Sequence, residues 1–228
     1  MLRRAALQAL PVLTFVGMVV ALYGAFIHVP QEKTMGDVQR IFYFHVACWW
    51  NSALALLVVF GASVSYLATR KRFWDTLAAA SAEIATLFIT LGLVLGMLWA
   101  KPVWGIYWTW DARLTTAAVL WLIYVSYLML RNFVPDEERR ANLAAVLGIL
   151  GFVDVPIVYF SIVWWRTQHP APVIAGGSGS GLDPVMGQGL LMSLVGFFFL
   201  YLWLLEKRIA VEHARQELDH LARELEVA

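Results

Sequence analysis

The chain has few charged residues and almost no cysteine. Only 14% of its 228 residues are Asp, Glu, Lys or Arg, and Cys48 is the single cysteine. One cysteine excludes an intrachain disulfide and any motif that needs two cysteines, including an attachment site for a group held by two thioether links. The net charge of +1 gives no support to a basic surface for nucleic acid.

Nucleotide-binding and catalytic motifs are also missing from the sequence. The glycine-rich stretch at residues 176–181 lacks the Gly-Lys-Ser/Thr ending of a phosphate-binding loop, and it is predicted to be a flexible connector. No side chain stands out as a general acid, a general base or a nucleophile. The sequence therefore favours a binding or transfer protein over an enzyme, and any ATP-driven step would belong to a partner.

Apolar residues, in contrast, make up 61% of the chain. About 20 consecutive apolar residues suffice for a helix to cross a hydrocarbon core of roughly 30 Å. Long apolar runs recur along the sequence and predict an all-α, polytopic integral membrane protein with six transmembrane helices. The six runs are residues 9–29, 41–69, 76–100, 116–130, 141–165 and 187–205.

The first run is predicted to be a retained helix, because the apolar core of a cleaved signal peptide is shorter and ends at a small-residue cleavage site. Residues 1–205 are predicted to form the membrane domain. Residues 206–228 place alanine and leucine at helical spacing and predict a cytoplasmic amphipathic tail. The apolar stripe of that tail suits either a partner protein or the membrane surface.

Lys and Arg are distributed unevenly between the alternate connections, which sets the expected orientation. The more basic side is predicted to be cytoplasmic, with both termini on it. The tryptophan-rich link between the third and fourth runs then faces outward. The more basic side carries Arg3, Arg4, Arg70, Lys71, Arg72, Arg131, Arg139, Arg140, Lys207 and Arg208, and the other side carries Lys33, Arg40, Lys101, Arg113 and Arg166.

Residues 101–115, the tryptophan segment, combine indole rings with charged side chains. If the segment is helical, Trp104, Trp108 and Asp111 share one face, and Trp110 projects from an adjoining one. Flat indole faces suit a large flat apolar ligand, and Arg113 suits a carboxylate at its edge; a porphyrin has both features. The alternative is that these tryptophans only anchor the chain at the membrane interface.

Two histidines lie beside the tryptophan segment on the predicted outer side. His45 is near the start of the second apolar run, and His169 follows the fifth. His28 at the end of the first run is a competitor, whereas His213 and His220 lie on the cytoplasmic side. A lone histidine at such a place is more often an interfacial residue, but a pair flanking one aromatic segment favours a binding site.

Two acidic residues fall inside the apolar runs, where an ionisable group is costly and usually faces the helix bundle. They are Glu83 in the third run and Asp154 in the fifth. Asp154 and Pro156 together indicate a locally opened helix. We expect structural polar contacts between helices at both residues, and a proton relay is the alternative.

The tryptophan segment reads W-G-x-x-W-x-W-D-x-R-L-T and resembles the WWD segment of the haem-handling membrane proteins of cytochrome c maturation. Within that group the chain resembles the CcmC family. The resemblance extends to F-Y-x-H-V around His45 and W-W-x-T-x-H ending at His169. The residues that carry the WWD resemblance are Trp104, Gly105, Trp108, Trp110, Asp111, Arg113, Leu114 and Thr115.

This resemblance implies a multi-pass protein of the bacterial cytoplasmic (inner) membrane that holds haem b non-covalently at the outer or periplasmic face. It implies axial ligation of the iron by His45 and His169. It also implies delivery of haem to the haem chaperone CcmE, with CcmD, CcmA and CcmB as associated subunits. A transporter permease and an electron-transferring haem b protein are the alternatives.

Polar side chains beside the two histidines complete the expected site. Arg113 or Arg166 is expected to pair with a haem propionate, because a guanidinium binds a carboxylate through a planar fork. Asp111 is expected either to orient one of these arginines or to accept a proton from a ligand imidazole. The sequence leaves both choices open.

Overall fold

The computed structural model describes residues 2–165, 167–169 and 181–227, and the side chains of 9–165, 167–169, 181–218 and 221. The described part is almost entirely helical and contains no β-strand. A five-residue π-helical turn, Gly24–His28, extends the first helix, and a short 3-10 turn, Asp37–Arg40, precedes the second. The α-helices are α1 Leu2–Tyr23, α2 Ile41–Thr69, α3 Arg72–Trp104, α4 Ala112–Phe133, α5 Glu137–Phe152, α6 Asp154–Trp164 and α7 Pro184–Val227.

Six helical segments of the described chain are long and apolar enough to cross a membrane, as the apolar runs predict. Five of them correspond to single α-helices, and the remaining segment, Glu137–Trp164, contains both α5 and α6. The predicted all-α fold with six membrane helices is therefore confirmed.

Helix α3 is the most buried of the six membrane segments. It follows α2 after a two-residue turn in which Arg70 takes a left-handed conformation, so the two helices form an antiparallel hairpin. Ala78, Ala82 and Ala85 of α3 are almost completely buried in the main core cluster. Small side chains let helices approach closely in a membrane, where van der Waals packing replaces the hydrophobic effect as the main attraction.

Helices α1 and α7 pack through a pair of glycines. A Cβ atom added to Gly196 would lie 2.7 Å from the backbone oxygen of Gly17, so α7 has no room for a side chain there, and one added to Gly17 would lie 3.2 Å from Cα of Gly196. Thr14 donates a hydrogen bond to the backbone oxygen of Phe199 at 3.0 Å and strengthens the same contact.

The tryptophan segment is not one helix, so the shared face that a helix would give Trp104, Trp108 and Asp111 does not form. Helix α3 ends at Trp104, because Gly105 adopts φ +79°, a conformation that glycine reaches without strain. Helix α4 begins only after Asp111, whose carboxylate caps it by accepting a hydrogen bond from the backbone N–H of Leu114 at 2.9 Å. Trp108 and Trp110 therefore lie on a loop, residues 105–111.

The two acidic residues predicted inside the apolar runs have different environments. Glu83 of α3 accepts two hydrogen bonds from Arg208 of α7, at 2.5 and 2.8 Å, and so joins two helices. Asp154 lies where α5 ends and α6 begins, at the predicted break in the fifth span. One of its carboxylate oxygens is buried without a hydrogen-bond partner in the described part of the chain.

The predicted tail continues the last membrane helix without interruption. Helix α7 runs from Pro184 to Val227, so the predicted boundary at residue 205 falls inside one helix. Val211, Leu218 and Leu221 of this extension are exposed. Its division into a membrane domain and a cytoplasmic tail stays a prediction.

Candidate functional site

A cavity of about 560 Å³ opens at the end of the bundle where α2 and α4 begin and α3 ends. Among its lining side chains are His45 from α2, Trp104 from α3, Arg113 from α4 and His169 from the stretch after α6. Residues separated by up to 124 positions in the sequence therefore face one space. Four of the predicted site residues come together here.

His45 is held by the backbone of α3. Its Nδ1 lies 2.9 Å from the carbonyl oxygen of Gly92. Because a carbonyl can only accept, Nδ1 carries the proton in this hydrogen bond, and Nε2 of a neutral ring keeps its lone pair. The imidazole also makes edge contacts with the indoles of Trp49 and Trp99, at centroid distances of 6.3 and 5.9 Å.

His169 lies between an indole and a carboxylate. Its ring meets Trp104 edge-on at a centroid distance of 5.0 Å, and its Nδ1 lies 3.3 Å from Oδ2 of Asp111. The N–H is not aligned as a hydrogen bond, but the carboxylate is close enough to favour a proton on this nitrogen. Burial lowers the pKa of His169 below its ordinary value, opposed by Asp111 and reinforced by Arg113. The neutral ring, which is the form that binds a metal, is therefore favoured near pH 7.

Arg113 connects the cavity with helix α6. One terminal nitrogen, Nη1, donates to the backbone oxygens of Val158 and Tyr159 at 3.1 and 3.3 Å. A guanidinium has five N–H donors, so these two contacts leave others for a ligand. The charge is positioned at the cavity by α4 and α6 together.

The tryptophans of the loop do not line the cavity. Trp110 is 79% exposed, and its ring contacts that of Trp108 edge-on at a centroid distance of 5.5 Å. Asp111, in contrast, contributes through its contact with His169 and its cap on α4. The predicted indole platform thus separates into Trp104 at the cavity and a second indole pair outside it.

Other residues expected from the sequence are absent from this group. Arg166 lies outside the described residues, so its predicted role has no structural counterpart here. His28 does not line the cavity, and its Nε2 lies 2.8 Å from the side-chain oxygen of Gln188.

The structure adds lining residues that sequence reasoning missed. Trp49 and Trp99 surround His45, while Met35 and Gln39 come from the link before α2. The spacing of His45 and Trp49, one helical turn apart, was an available signal. The sequence gave no signal for Trp99 on α3 or for Met35 and Gln39 in the link, because their proximity to His45 depends on how the helices pack.

The lining is compatible with a large, mostly apolar ligand. A volume of about 560 Å³ lies within the range of roughly 300–1,000 Å³ for small-molecule pockets. Two lining residues, Gln39 and Trp99, also have a buried polar atom without a hydrogen-bond partner among the described residues, Oε1 and Nε1 respectively.

A bare metal ion fits the described residues less well than a porphyrin. Within residues 2–165, 167–169 and 181–227, no three His, Cys, Asp or Glu side chains gather around one point. The ring nitrogens of a porphyrin already bind the iron, so the protein needs to supply only axial ligands. His45 and His169 both line this cavity, and an imidazole is one of the side chains that can serve as an axial ligand.

Comparisons with known proteins identify the family of the chain. The CcmC family model, described as heme exporter protein C, matches residues 1–224. The chain is 39% identical to heme exporter protein C of Bradyrhizobium diazoefficiens over 77% of its own length and 66% of that protein. It is 33% identical to the Escherichia coli K12 protein of the same name, over 75% of this chain and 69% of that one.

A third relative extends over more of the sequence. Heme exporter protein C of Haemophilus influenzae is 32% identical over 90% of this chain and 83% of its own length. The family match covers all six membrane segments and both cavity histidines. The chain belongs to the CcmC family of heme exporter protein C.

Proposed function

We propose that this protein handles haem in cytochrome c maturation, holding it non-covalently as a substrate in the cavity at the end of the bundle. The observation that carries the proposal is that His45 and His169 line the same cavity, each with Nδ1 facing an acceptor. This arrangement directs the proton to Nδ1 and leaves Nε2 of each ring for axial ligation of the iron. Bis-imidazole ligation needs no covalent bond to the protein.

Two cavity residues are proposed to orient the haem. Trp104 would cover part of its apolar surface, and Arg113 would pair with a propionate. Asp111 would act on His169, which is one of the two roles that the sequence leaves open, because the carboxylate contacts this ring. Arg166 is retained as a second candidate for a propionate.

The cavity is proposed to face the outer side of the cytoplasmic membrane, with both chain ends inside. The distribution of Lys and Arg supports this orientation, since the sequence predicts ten such residues near the membrane ends on the opposite side and five on the cavity side. Held at that surface, haem would be accessible to an acceptor outside the cell's inner membrane.

The acceptor is proposed to be the haem chaperone CcmE, with CcmD, CcmA and CcmB as associated subunits. The sequence has no nucleotide-binding motif, which supports a partner as the source of any ATP-driven step. The side chains of the cavity bind and orient, and none is an evident acid, base or nucleophile. The protein is therefore proposed to transfer haem without changing it.

Absorption spectra of the purified, haem-loaded protein test the ligand assignment. Replacing His45 or His169 by Gly should convert the low-spin spectrum to a high-spin or haem-depleted one, because one axial ligand is lost. Free imidazole should restore the low-spin spectrum by occupying the vacated position. His28→Gly is the matched control, since His28 lies near the same end of the bundle without lining the cavity.

Wild-type spectra in both His45→Gly and His169→Gly, without added imidazole, would show that the ligand assignment is wrong. A change in His28→Gly equal to that in the other two variants would point to general damage at this end of the bundle.

A further inference from the structure

His45 meets α3 at two glycines that lie one turn apart. A Cβ atom added to Gly96 would lie 2.9 Å from Cε1 and 3.4 Å from Nδ1 of His45. A Cβ atom added to Gly92 would instead lie 2.9 Å from Nε1 of Trp49. The imidazole and the indole of α2 thus each occupy the space of a missing side chain on α3.

The two glycines have different relations to the hydrogen bond of His45. The carbonyl oxygen that accepts from Nδ1 belongs to Gly92. In an α-helix the Cα–Cβ bond tilts toward the N-terminus, so a side chain at position 96 lies over the carbonyl one turn earlier. The absence of a side chain at Gly96 therefore exposes the Gly92 carbonyl to the ring.

We propose that Gly96 is a positioning residue for haem ligation: its missing side chain lets His45 reach the Gly92 carbonyl, which orients the ring and leaves Nε2 toward the cavity. This inference rests on the proposed ligation of haem by His45. It adds a residue outside the tryptophan segment and outside the two histidine-bearing segments that carry the family resemblance.

Close helix packing alone is the competing explanation for both glycines. Two control variants distinguish this packing explanation from the proposal. Gly148→Ala crowds a helix interface away from the cavity, because its added Cβ would lie 2.9 Å from Oγ of Ser63. Gly61→Ala adds a methyl group to α2 where nothing lies within 4 Å, so it reports the effect of helix propensity alone.

The first experiment compares absorption spectra of haem-loaded wild type, Gly96→Ala, Gly148→Ala, Gly61→Ala and His45→Gly. Gly96→Ala should resemble His45→Gly, with most bound haem losing its low-spin spectrum, and free imidazole should restore that spectrum. Haem that remains bound to Gly148→Ala and Gly61→Ala should stay low-spin without imidazole. A purely structural role for Gly96 would lower the amount of protein or haem without this change of ligation.

The second experiment uses the protein without haem. Nitrogen NMR of ¹⁵N-histidine-labelled protein distinguishes the two neutral tautomers, and the His45 signals are identified by their loss in His45→Gly. Wild type should show the tautomer with the proton on Nδ1, because the Gly92 carbonyl accepts it. Gly96→Ala should lose that preference, while Gly61→Ala should keep it.

The outcomes distinguish a failure of this inference from a failure of the proposed haem ligation by His45. An unchanged spectrum in His45→Gly would overturn ligation by His45, and the inference with it. If His45→Gly changes the spectrum but Gly96→Ala stays low-spin and keeps the Nδ1 tautomer, ligation stands and the role of Gly96 is wrong. Equal loss of low-spin haem in Gly148→Ala and Gly96→Ala would also overturn it, in favour of helix packing.

Discussion

Arg113 is the charged side chain that the fold holds most firmly at the cavity. Its Nη1 donates to two backbone oxygens of α6, those of Val158 and Tyr159, so the guanidinium is oriented before any ligand arrives. A group that is already oriented loses less conformational freedom on binding a carboxylate. The planar fork then adds two parallel hydrogen bonds, which a lysine cannot reproduce.

Replacing Arg113 by Lys should therefore lower haem retention although the charge is kept. Loss of a charge-assisted hydrogen bond is worth roughly 1.5–3 kcal/mol, which corresponds to about tenfold or more in affinity. Haem occupancy after purification measures the effect. Arg72→Lys is the control, because Arg72 pairs with Glu137 and lies at the end of α3 away from the cavity.

The same variant also loses contacts to α6, so the thermal stability of the haem-free protein should be measured beside it. Wild-type haem occupancy in Arg113→Lys, in Arg166→Lys and in the double variant would contradict a propionate role for either arginine.

At the scale of single residues, the sequence predicted the parts of the site that carry distinctive chemistry. His45, His169 and Arg113 are polar residues beside apolar runs, and they stand out for that reason. Nothing in the sequence around Gly92 or Gln39 distinguishes them as site residues. Their roles depend on which helix lies opposite, a long-range property that neither periodicity nor composition records.

At the scale of elements, the loop at residues 105–111 places tryptophans in separate positions that a single helix would have kept on adjoining faces. Trp104 remains on α3 beside the cavity, whereas Trp108 and Trp110 are carried outside it by the turn at Gly105. Trp110 is 79% exposed and does not line the cavity, so we expect it to be available for contact with a second protein. Aromatic side chains of this kind often dominate binding between proteins.

We therefore expect the tryptophans to have separable effects. Trp104→Phe should lower haem occupancy, because it removes indole surface from the cavity. The double variant Trp108→Phe/Trp110→Phe should keep haem occupancy but slow transfer of haem to purified CcmE. Transfer at the wild-type rate by the double variant, at equal expression, would instead support membrane anchoring, since phenylalanine also suits an interface.

Element boundaries were predictable where the membrane itself sets them. The apolar run at residues 41–69 coincides with α2, because every backbone group in hydrocarbon must be hydrogen-bonded within its own helix. The ends of α3 and α4 follow local signals instead, Gly105 as a C-cap and Asp111 as an N-cap. The helical periodicity of apolar residues does not reveal either cap, because that spacing continues through the loop.

At the scale of the whole molecule, the number of membrane segments follows from the number and length of the apolar runs alone. The apolar runs do not predict that α3 pairs with α7 through Glu83 and Arg208, which lie 125 residues apart. That contact joins a membrane helix to the long extension of the last one. Orientation is a separate property, because it depends on the charges of the loops and not on helix packing.

The scarcity of cysteine makes this orientation directly testable. Cys48 is buried, so a cysteine introduced at an exposed position gives a distinct labelling signal. Thr34 is exposed at the cavity end, and Glu138 is exposed at the opposite end, near the start of α5.

With the proposed orientation, a membrane-impermeant thiol reagent should label Thr34→Cys in intact cells and Glu138→Cys only after the membrane is opened. Unmodified protein measures the background from Cys48. Labelling of Glu138→Cys in intact cells, with Thr34→Cys protected, would reverse the orientation and place the haem cavity on the cytoplasmic side.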